Sequence, residues 1–337
     1  MAHISVLGAG AWGTALAIAA RQGGHTVDIW SPFEREIDTI KTDRANPLLP
    51  GVVIPRDVNL TNDISCSDDS DLIITAVPSF AVLETSELLS GRAKGKERII
   101  ANAAKGFCPK TGRRFSEVIA EASSDFIPVA LSGPSHAEEV SRGVATSIVS
   151  ACENPSAAEY VQDLMMTDYL RIYVNRDIVG VELGGALKNI IALCAGICDG
   201  MRAGDNTKAA LITRGLSEIA RLGVKMGAKS ETFAGLSGLG DLIVTCDSMH
   251  SRNRRAGILI GQGKSADEAV ADVGTVEGYY AVRAAHELCG KYGVEMPITE
   301  SCYSICFENL SPETALKRLM TRPKKHEYEA ATWLEVK

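Results

Sequence analysis

The opening of the chain restricts the fold more than any other segment. Residues 3–7 are an apolar run typical of a buried strand, residues 14–22 have helical spacing, and residues 26–31 indicate a second strand. The tight turn Gly8–Gly13 lies between the first strand and the helix. A strand, turn, helix and strand within about 30 residues predict one βαβ unit, and therefore a parallel sheet at the start of the fold.

The turn Gly8–Gly13 has glycine at the three positions of the pattern G-x-G-x-x-G. In this pattern Gly8 permits a tight turn, Gly10 lets the backbone approach a pyrophosphate, and Gly13 permits close packing of the helix on the strand. The phosphate charge would then face the N-terminus of the helix, beside Ala11. Because the pattern follows a strand and opens a helix, it predicts a dinucleotide-binding site.

Later segments continue the alternation of strands and helices and then change character. Further strands are predicted at residues 72–77, 98–102, 129–132 and 146–150. After about residue 180 helical spacing dominates, with helices predicted over residues 181–198, 208–226, 266–271, 278–292 and 311–319. We therefore predict an α/β, Rossmann-type doubly wound sheet in a dinucleotide-binding domain of residues 1–180, and a mostly α-helical substrate and catalytic domain of residues 181–337.

Composition and charge exclude several classes of protein. The formal net charge is −7 and no long basic run is present, so neither nucleic acid nor an anionic membrane surface is an expected partner. Nine scattered cysteines without metal-type spacing indicate reduced thiols and no metal site. The sequence shows neither a signal peptide nor an uninterrupted apolar run of about 20 residues. We expect a cytoplasmic protein without a membrane anchor.

The end of the predicted second strand bears on the choice of cofactor. The acid that hydrogen-bonds the ribose 2′-hydroxyl of NAD usually stands near this point, but Asp28 comes too early and Glu34 too late. Ser31 and Arg35 can instead bind a 2′-phosphate, so NADPH is slightly favoured over NADH, and the choice stays open. Pro78 follows another predicted strand, at the edge where such folds bind ligands.

Two adjacent glycines mark the first helix of the predicted second domain. Gly184 and Gly185 each cost about 1 kcal/mol relative to alanine inside a helix, so a functional reason is expected. One turn later Lys188 and Asn189 share their face, which gives room for a flat nicotinamide ring beside an amine and an amide. Apolar surroundings would lower the pKa of Lys188 towards the working pH. Lys188 can then donate a proton to a carbonyl oxygen as hydride reaches the carbon.

Further candidate residues stand at the ends of predicted strands. Lys105 follows one strand and precedes a glycine, and we expect it to contact substrate or cofactor. Gly133 and Ser135 follow the next strand, where backbone amides and the Ser135 hydroxyl are free to bind oxygen atoms. His136 is an alternative catalytic base to Lys188.

A phosphate site is predicted in the second domain. The glycine-spaced residues 235–246 contain Asp241 and Thr245, and a run S-R-N-R follows them. Within this run, Arg252 and Asn253 stand near a helix start and would bind a phosphate by charge, fork geometry and free amides. The expected partner is therefore a small phosphorylated substrate.

Five blocks of the sequence together resemble one family, the bacterial type of NAD(P)-dependent glycerol-3-phosphate dehydrogenase. In chain order they are GAGAWGTALA, AAKGF, SGPSHAEEV, GGALKN, and GLGDLIVTC with SRNR. The resemblance implies reduction of dihydroxyacetone phosphate to sn-glycerol 3-phosphate for glycerophospholipid synthesis, with Lys188 as proton donor and acceptor, and we expect a homodimer. It implies substrate contacts for Lys105, Gly133, Ser135, Asp241, Ser251, Arg252 and Asn253, and cofactor contacts for Trp12, Ala137, Arg252, Thr275 and Glu277. One departure is Pro32-Phe33, where the family often has a basic residue.

Two other functions are compatible with parts of the pattern. A dehydrogenase of the 3-hydroxyacid or 6-phosphogluconate type also uses a helical lysine, preceded by glycine, beside an asparagine. Its carboxylate substrate would need a clamp different from Arg252 and Asn253. A non-catalytic nucleotide-sensing module is the third function, and it predicts that biological activity survives Lys188→Ala.

Overall fold

A computed structural model, which describes residues 1–93, 95–324 and 326–327, contains one sheet of eight strands. The chain divides into two units, Met1–Ile178 and Val179–Lys337, and the sheet belongs to the first. Its strands are β1 (His3–Leu7), β2 (Thr26–Trp30), β3 (Asn59–Thr61), β4 (Leu72–Thr75), β5 (Arg98–Asn102), β6 (Phe126–Ser132), β7 (Thr146–Ala151) and β8 (Leu170–Asn175). They are ordered β3-β2-β1-β4-β5-β6-β7-β8. The order reverses between β1 and β4, which is the switch point of a doubly wound fold.

Helices cover both faces of this sheet. They are α1 (Ala11–Gln22), α2 (Glu34–Asp43), α3 (Val82–Ser90), α4 (Phe115–Ala122), α5 (Ala137–Val140) and α6 (Pro155–Met165). Ile4 and Val6 pack into one buried cluster and Leu7 into another. Because successive side chains of a strand point to opposite faces, β1 is buried on both sides. The predicted α/β fold class is confirmed.

One strand runs against the predicted parallel direction. β7 is antiparallel to β6, whereas every other neighbouring pair in the described sheet is parallel. Residues 133–145, which join β6 to β7, contain only the four-residue helix α5, so the chain turns back at the edge where β6 ends. The sequence analysis also missed β3, which has three residues, and β8, whose buried and exposed residues alternate at its start.

The second unit is helical, as predicted. Its helices are α7 (Ile178–Gly200), α8 (Asp205–Lys225), α9 (Ser230–Phe233), α10 (Asp241–Asp247), α11 (Arg252–Gly261), α12 (Ala266–Val273), α13 (Glu277–Tyr292), α14 (Pro297–Phe307) and α15 (Pro312–Met320). Leu236–Gly240 forms one π-helical turn before α10. By length and composition α7 could cross a membrane, but 89% of its most apolar window is buried, as in the core helix of a globular unit.

Glycines bring α7 and α11 into close contact. A Cβ added at Gly196 of α7 would lie 2.1 Å from the Arg254 carbonyl oxygen, and one at Gly257 of α11 would lie 2.1 Å from the Leu193 carbonyl oxygen. Any side chain at either position would therefore force the two helix backbones apart. This crossing fixes the N-terminus of α11 beside α7.

Candidate active site

The glycine loop, Gly8–Gly13, has the backbone that its spacing predicts. Gly8 adopts φ +121°, and a Cβ there would lie 2.6 Å from the Ala76 carbonyl oxygen. A Cβ at Gly13 would lie 1.9 Å from the Gly8 carbonyl oxygen. By contrast, a Cβ at Gly10 would meet no atom within 4 Å. Two glycines are thus required by packing, and the third leaves open space in front of α1.

The open N-terminus of α1 fits a dinucleotide pyrophosphate. Gly10 caps the helix without a side-chain hydrogen bond, and the first turn contains no acidic residue. The Nε1 atom of Trp12 is buried and has no hydrogen-bond partner among the described residues. Free backbone amides, the helix dipole and this unused indole N–H all favour oxygen atoms of a bound anion.

Asn46 holds the glycine loop in place, and the sequence analysis missed it. Its side-chain amide nitrogen donates to the Ala9 carbonyl oxygen at 2.8 Å and to Thr14 Oγ1 at 2.7 Å. Its side-chain oxygen accepts from the Leu48 backbone N–H at 2.9 Å. Asn46 is fully buried, and it lies beyond α2 in the chain. Only the tertiary fold brings it to the loop, so spacing within the motif gave no signal of it.

The end of β2 differs from the expectation that Ser31 donates to a 2′-phosphate. Ser31 is buried, its hydroxyl donates to a carboxylate oxygen of Glu36, and it accepts from the Phe33 backbone N–H at 3.3 Å. Glu36 lies in the first turn of α2 and is half-buried. Arg35, the other expected phosphate ligand, is exposed. The hydroxyl proton of Ser31 is therefore already used inside the protein.

Three predicted residues meet at the carboxyl ends of β5 and β6. Lys105 Nζ donates to the Gly133 carbonyl oxygen at 2.8 Å and to Ser135 Oγ at 3.2 Å. Gly133 adopts φ +133°, and a Cβ there would lie 3.0 Å from Ile148 Cα. Pro78 lies at the same edge, three residues beyond β4. Because neighbouring parallel strands end at one edge, these side chains share it with the glycine loop.

The segment after Ser135 forms the start of a short helix. His136 is the N-cap residue of α5, and Ala137 is its first residue, half-buried against the sheet core. The His136 side chain has contacts within the protein.

The Lys188 cluster consists of Lys188, Asp241 and Thr245, and it lies inside the second unit. Lys188 Nζ donates to an Asp241 carboxylate oxygen and, at 2.6 Å, to Thr245 Oγ1. The Thr245 hydroxyl in turn donates to the Asp241 backbone carbonyl oxygen at 2.6 Å. Lys188 is 5% exposed and Asp241 1%. A buried carboxylate stabilises the protonated ammonium. The sequence analysis instead expected apolar surroundings to lower the pKa of Lys188.

Gly184 has a packing role that the sequence analysis did not foresee. A Cβ at Gly184 would lie 2.5 Å from the Ser237 carbonyl oxygen, in the π-helical turn before α10. The missing side chain lets that turn lie against α7, so Asp241 and Thr245 can reach Lys188. The expectation that this glycine makes room for a flat ring is therefore corrected. Gly185 is buried beside it.

A second network joins α7, α11 and α13. Asn253 Nδ2 donates to Asn189 Oδ1 at 2.9 Å, and Asn253 Oδ1 accepts from the Gly278 backbone N–H at 2.8 Å. The predicted cofactor contact Glu277 is the residue before Gly278 and the first of α13, and Thr275 lies two residues earlier. Both are half-buried. The network holds these residues next to the N-terminus of α11.

The N-terminus of α11 carries one uncommitted cation. Ser251 is the N-cap residue, and its hydroxyl accepts from the Arg254 backbone N–H at 3.2 Å. Arg254 also donates through Nε to Asp199 Oδ2 at 2.7 Å. Arg252 is exposed, and within the described chain it makes no hydrogen bond or ion pair. Among these arginines, Arg252 alone combines a helix N-terminus with a free guanidinium.

A glycine loop at the switch point of a doubly wound sheet defines the class of dinucleotide-binding proteins. Two family models match the chain: the N-terminus of NAD-dependent glycerol-3-phosphate dehydrogenase over residues 3–158, and its C-terminus over residues 177–317. The chain belongs to the NAD-dependent glycerol-3-phosphate dehydrogenase family, which confirms the resemblance found in the sequence.

Individual relatives agree with this assignment. A glycerol-3-phosphate dehydrogenase (NAD(P)+) of Thermoanaerobacter sp. is 52% identical, with 96% of this chain and 98% of the relative covered. One from Desulfitobacterium hafniense is 48% identical, with 98% and 94% covered. The crystal structure of glycerol-3-phosphate dehydrogenase from Coxiella burnetii superimposes with a TM-score of 0.90 at 37% identity, over 95% of this chain and 99% of the other. The protein is thus an NAD(P)-dependent oxidoreductase.

Proposed function

We propose that this protein catalyses the reversible, NAD(P)H-dependent reduction of dihydroxyacetone phosphate to sn-glycerol 3-phosphate. The observation that carries the proposal is the buried Lys188 ammonium, held by Asp241 and Thr245, one residue before the Asn189 that bonds to Asn253 of α11. A carbonyl reduction needs one proton on oxygen, and a lysine kept protonated by a buried carboxylate can supply it.

The chemistry then divides between cofactor and protein. A bound reduced nicotinamide supplies the hydride that the carbonyl carbon receives. Lys188 donates its Nζ proton to the carbonyl oxygen and, in the reverse direction, takes it from the hydroxyl. Asp241 stabilises the charged form of Lys188, and Thr245 orients Nζ through a 2.6 Å hydrogen bond.

Substrate binding is assigned to charged and polar side chains and to backbone groups. Arg252 binds the phosphate with its free guanidinium at the N-terminus of α11. We assign the remaining substrate contacts to Lys105, Gly133, Ser135, Asn189, Asp241, Thr245, Ser251 and Asn253. The side-chain amide of Asn253 already serves Asn189 and Gly278, so its contribution is to hold the site together as well as to bind.

Cofactor binding is assigned mainly to the sheet edge of the first unit, with Arg252, Thr275 and Glu277 as contacts from the second. The glycine loop and the N-terminus of α1 receive the pyrophosphate. We assign the cofactor contacts to Gly8, Gly10, Ala11, Trp12, Gly13, Pro78, Lys105, Ala137, Arg252, Thr275 and Glu277, without Ser31 and Arg35, whose expected role at a 2′-phosphate is corrected above. In this proposal residues 1–180 are the dinucleotide-binding domain, and residues 181–337 are the substrate and catalytic domain.

The proposal includes a cellular context. All nine cysteines are free of disulfides, which supports a reducing compartment such as the cytoplasm. The product would feed glycerophospholipid synthesis, and the active species would be a homodimer. Light scattering on the purified protein tests the dimer, since a monomeric mass would contradict it.

A substrate panel tests the reaction. The purified protein is assayed for oxidation of NADH and NADPH with dihydroxyacetone phosphate. In the reverse direction, reduction of NAD+ and NADP+ is measured with sn-glycerol 3-phosphate, 3-hydroxyisobutyrate and 6-phosphogluconate. We expect kcat/KM for the glycerol phosphate pair to exceed that for the two carboxylates by at least about 10³-fold, because the site requires a phosphate on the carbon next to the reacting carbon. 3-Hydroxyisobutyrate has no phosphate, and 6-phosphogluconate has its phosphate three carbons away from the reacting carbon. Faster turnover of either carboxylate would favour the alternative dehydrogenase class.

A further inference from the structure

The end of β2 is tied directly to the glycine loop. The Gly8 backbone N–H donates to the Trp30 carbonyl oxygen at 2.8 Å, and Ser31 is the next residue. In a doubly wound fold, a dinucleotide with its pyrophosphate on this loop extends its adenosine ribose towards the end of the second strand. The groups around Ser31 therefore face the one position at which NAD and NADP differ.

The side chains at this position accept hydrogen bonds. The Ser31 hydroxyl has one hydrogen, and it donates that hydrogen in a bond to Glu36. Glu36 uses one carboxylate oxygen for that bond, and its other oxygen has no hydrogen bond within the described residues. A ribose 2′-hydroxyl can donate to a carboxylate, whereas a 2′-phosphate needs donors and meets a like charge here.

The first turn of α2 folds Glu36 back onto the strand end. The backbone N–H groups of Glu36 and Ile37 donate to the Phe33 carbonyl oxygen at 3.0 and 3.2 Å. This turn explains how an acid five residues beyond Ser31, and 23 beyond Gly13, reaches it. The separation agrees with the spacing of about 20 residues between a glycine loop and its ribose-binding acid.

The nearby guanidinium of Arg35 does not cancel the negative charge of Glu36. Arg35 is the only basic residue in the segment Ser31–Glu36, which also contains Glu34. Consecutive helical residues are about 100° apart, so Arg35 is about 200° round the helix from Ile37. Ile37 is buried in the core and Arg35 is exposed, which places Arg35 on the outer side of α2.

We propose that Glu36 makes this protein select NADH over NADPH, by accepting the ribose 2′-hydroxyl and repelling a 2′-phosphate, with Ser31 as the residue that positions its carboxylate. The inference rests on the dinucleotide site of the proposed function and reverses the slight preference for NADPH that Ser31 and Arg35 indicate in the sequence. Glu36 is a specificity-determining residue, and the reaction itself does not require it.

Direct binding tests the proposal without substrate. NADH and NADPH are titrated into the protein, with binding followed by nucleotide fluorescence. We expect the dissociation constant of NADPH to exceed that of NADH at least about 30-fold, since hydrogen bonding to a charged group and like-charge repulsion act together. In Glu36→Gln, which keeps an oxygen acceptor for Ser31, the ratio should fall at least about tenfold, mainly through tighter NADPH binding. Glu34→Gln is the matched control and should leave the ratio unchanged.

Two further measurements keep the outcome decisive. The affinities of 2′-AMP and 5′-AMP, measured by competition with the dinucleotide, report on the adenosine half alone. Their ratio should change in Glu36→Gln in the same direction as the ratio for NADPH and NADH. Ser31→Ala should lower the NADPH to NADH ratio less than Glu36→Gln does, because the carboxylate remains but is less well oriented. Equal affinities in the wild type, or a ratio unchanged in Glu36→Gln, would overturn the proposal.

These results separate the two proposals. Selective NADH binding without turnover of dihydroxyacetone phosphate would contradict the proposed reaction and leave the role of Glu36 standing. Turnover with equal affinities for both dinucleotides would contradict the role of Glu36 alone. Failure to bind either dinucleotide would contradict both.

Discussion

The glycine loop keeps its space open by omitting side chains, whereas the Lys188 cluster fills its space with paired charges. In the loop, Gly8 and Gly13 permit backbone contacts that no other residue allows, and Gly10 faces open space. In the cluster, a buried ammonium and a buried carboxylate stabilise each other. A binding surface for phosphate can therefore be made from backbone alone, whereas a proton donor needs a side chain whose protonated form is stabilised before the reaction.

The comparison is tested most strongly by adding one methyl group at two places in the loop. Gly13→Ala puts a Cβ 1.9 Å from the Gly8 carbonyl oxygen, so the loop must move. We expect NADH affinity to fall at least about 100-fold, or the first unit to unfold, because packed backbone cannot yield by this distance. Gly10→Ala meets no protein atom, so it should leave the fold intact and weaken only NADH binding. Equal thermal stability and NADH affinity in the two variants would contradict this account of the loop.

For the charged residues of the second unit, a smaller effect is expected when Arg252 is replaced. Removing its guanidinium in Arg252→Ala should raise the KM for dihydroxyacetone phosphate by about 10- to 100-fold, the effect of losing a charge-assisted hydrogen bond. Steady-state kinetics measure this value. Arg255→Ala, an exposed arginine on the same helix, is the control and should leave KM within about twofold. An unchanged KM in Arg252→Ala would remove Arg252 from the phosphate site.

A buried acid with no lysine partner sharpens the comparison with Asp241. Glu218 of α8 accepts from the backbone N–H groups of Ile298 and Thr299 at 2.8 and 3.2 Å, and burial raises its pKa to about 7. The native state therefore binds a proton that the unfolded state releases between about pH 4.5 and 7, so this residue's contribution to stability falls as pH rises through that range.

The matched variant is Glu218→Gln, which does not titrate. The free energy of unfolding of the wild type, relative to Glu218→Gln, should be about 2 kcal/mol higher at about pH 5 than at about pH 8. Urea unfolding at the two pH values measures the difference. A difference that does not change with pH would show that burial does not perturb this carboxyl.

Local patterns were predictable from the sequence, and contacts between distant residues were not. The loop Gly8–Gly13 follows from three glycines within six adjacent residues. Lys188 was also found, but not the ion pair with Asp241, which lies 53 residues away. Gly184 was assigned to the nicotinamide because the residue that packs against it, Ser237, is equally remote in sequence and could not be foreseen. Periodicity identifies a helix face, but only the fold shows what lies against it.

The end of β2 illustrates the same limit at short range. The sequence analysis looked for an acid at the strand end and considered Asp28 and Glu34. Asp28 instead accepts hydrogen bonds from His3 and Asn59 within the sheet. Glu36 was not considered, because it lies five residues beyond the strand end and only the first turn of α2 brings it back to Ser31.

The central claim is that the first unit binds the dinucleotide and Lys188 of the second supplies the proton. One paired measurement on Lys188→Ala tests it most directly: the dissociation constant of NADH by titration, and kcat with dihydroxyacetone phosphate. Lys225→Ala, an exposed lysine of the same unit, is the control. We predict that kcat falls at least about 100-fold in Lys188→Ala while the dissociation constant changes less than about twofold. A kcat near that of the wild type, or a loss of NADH affinity as large as the loss of kcat, would contradict the account.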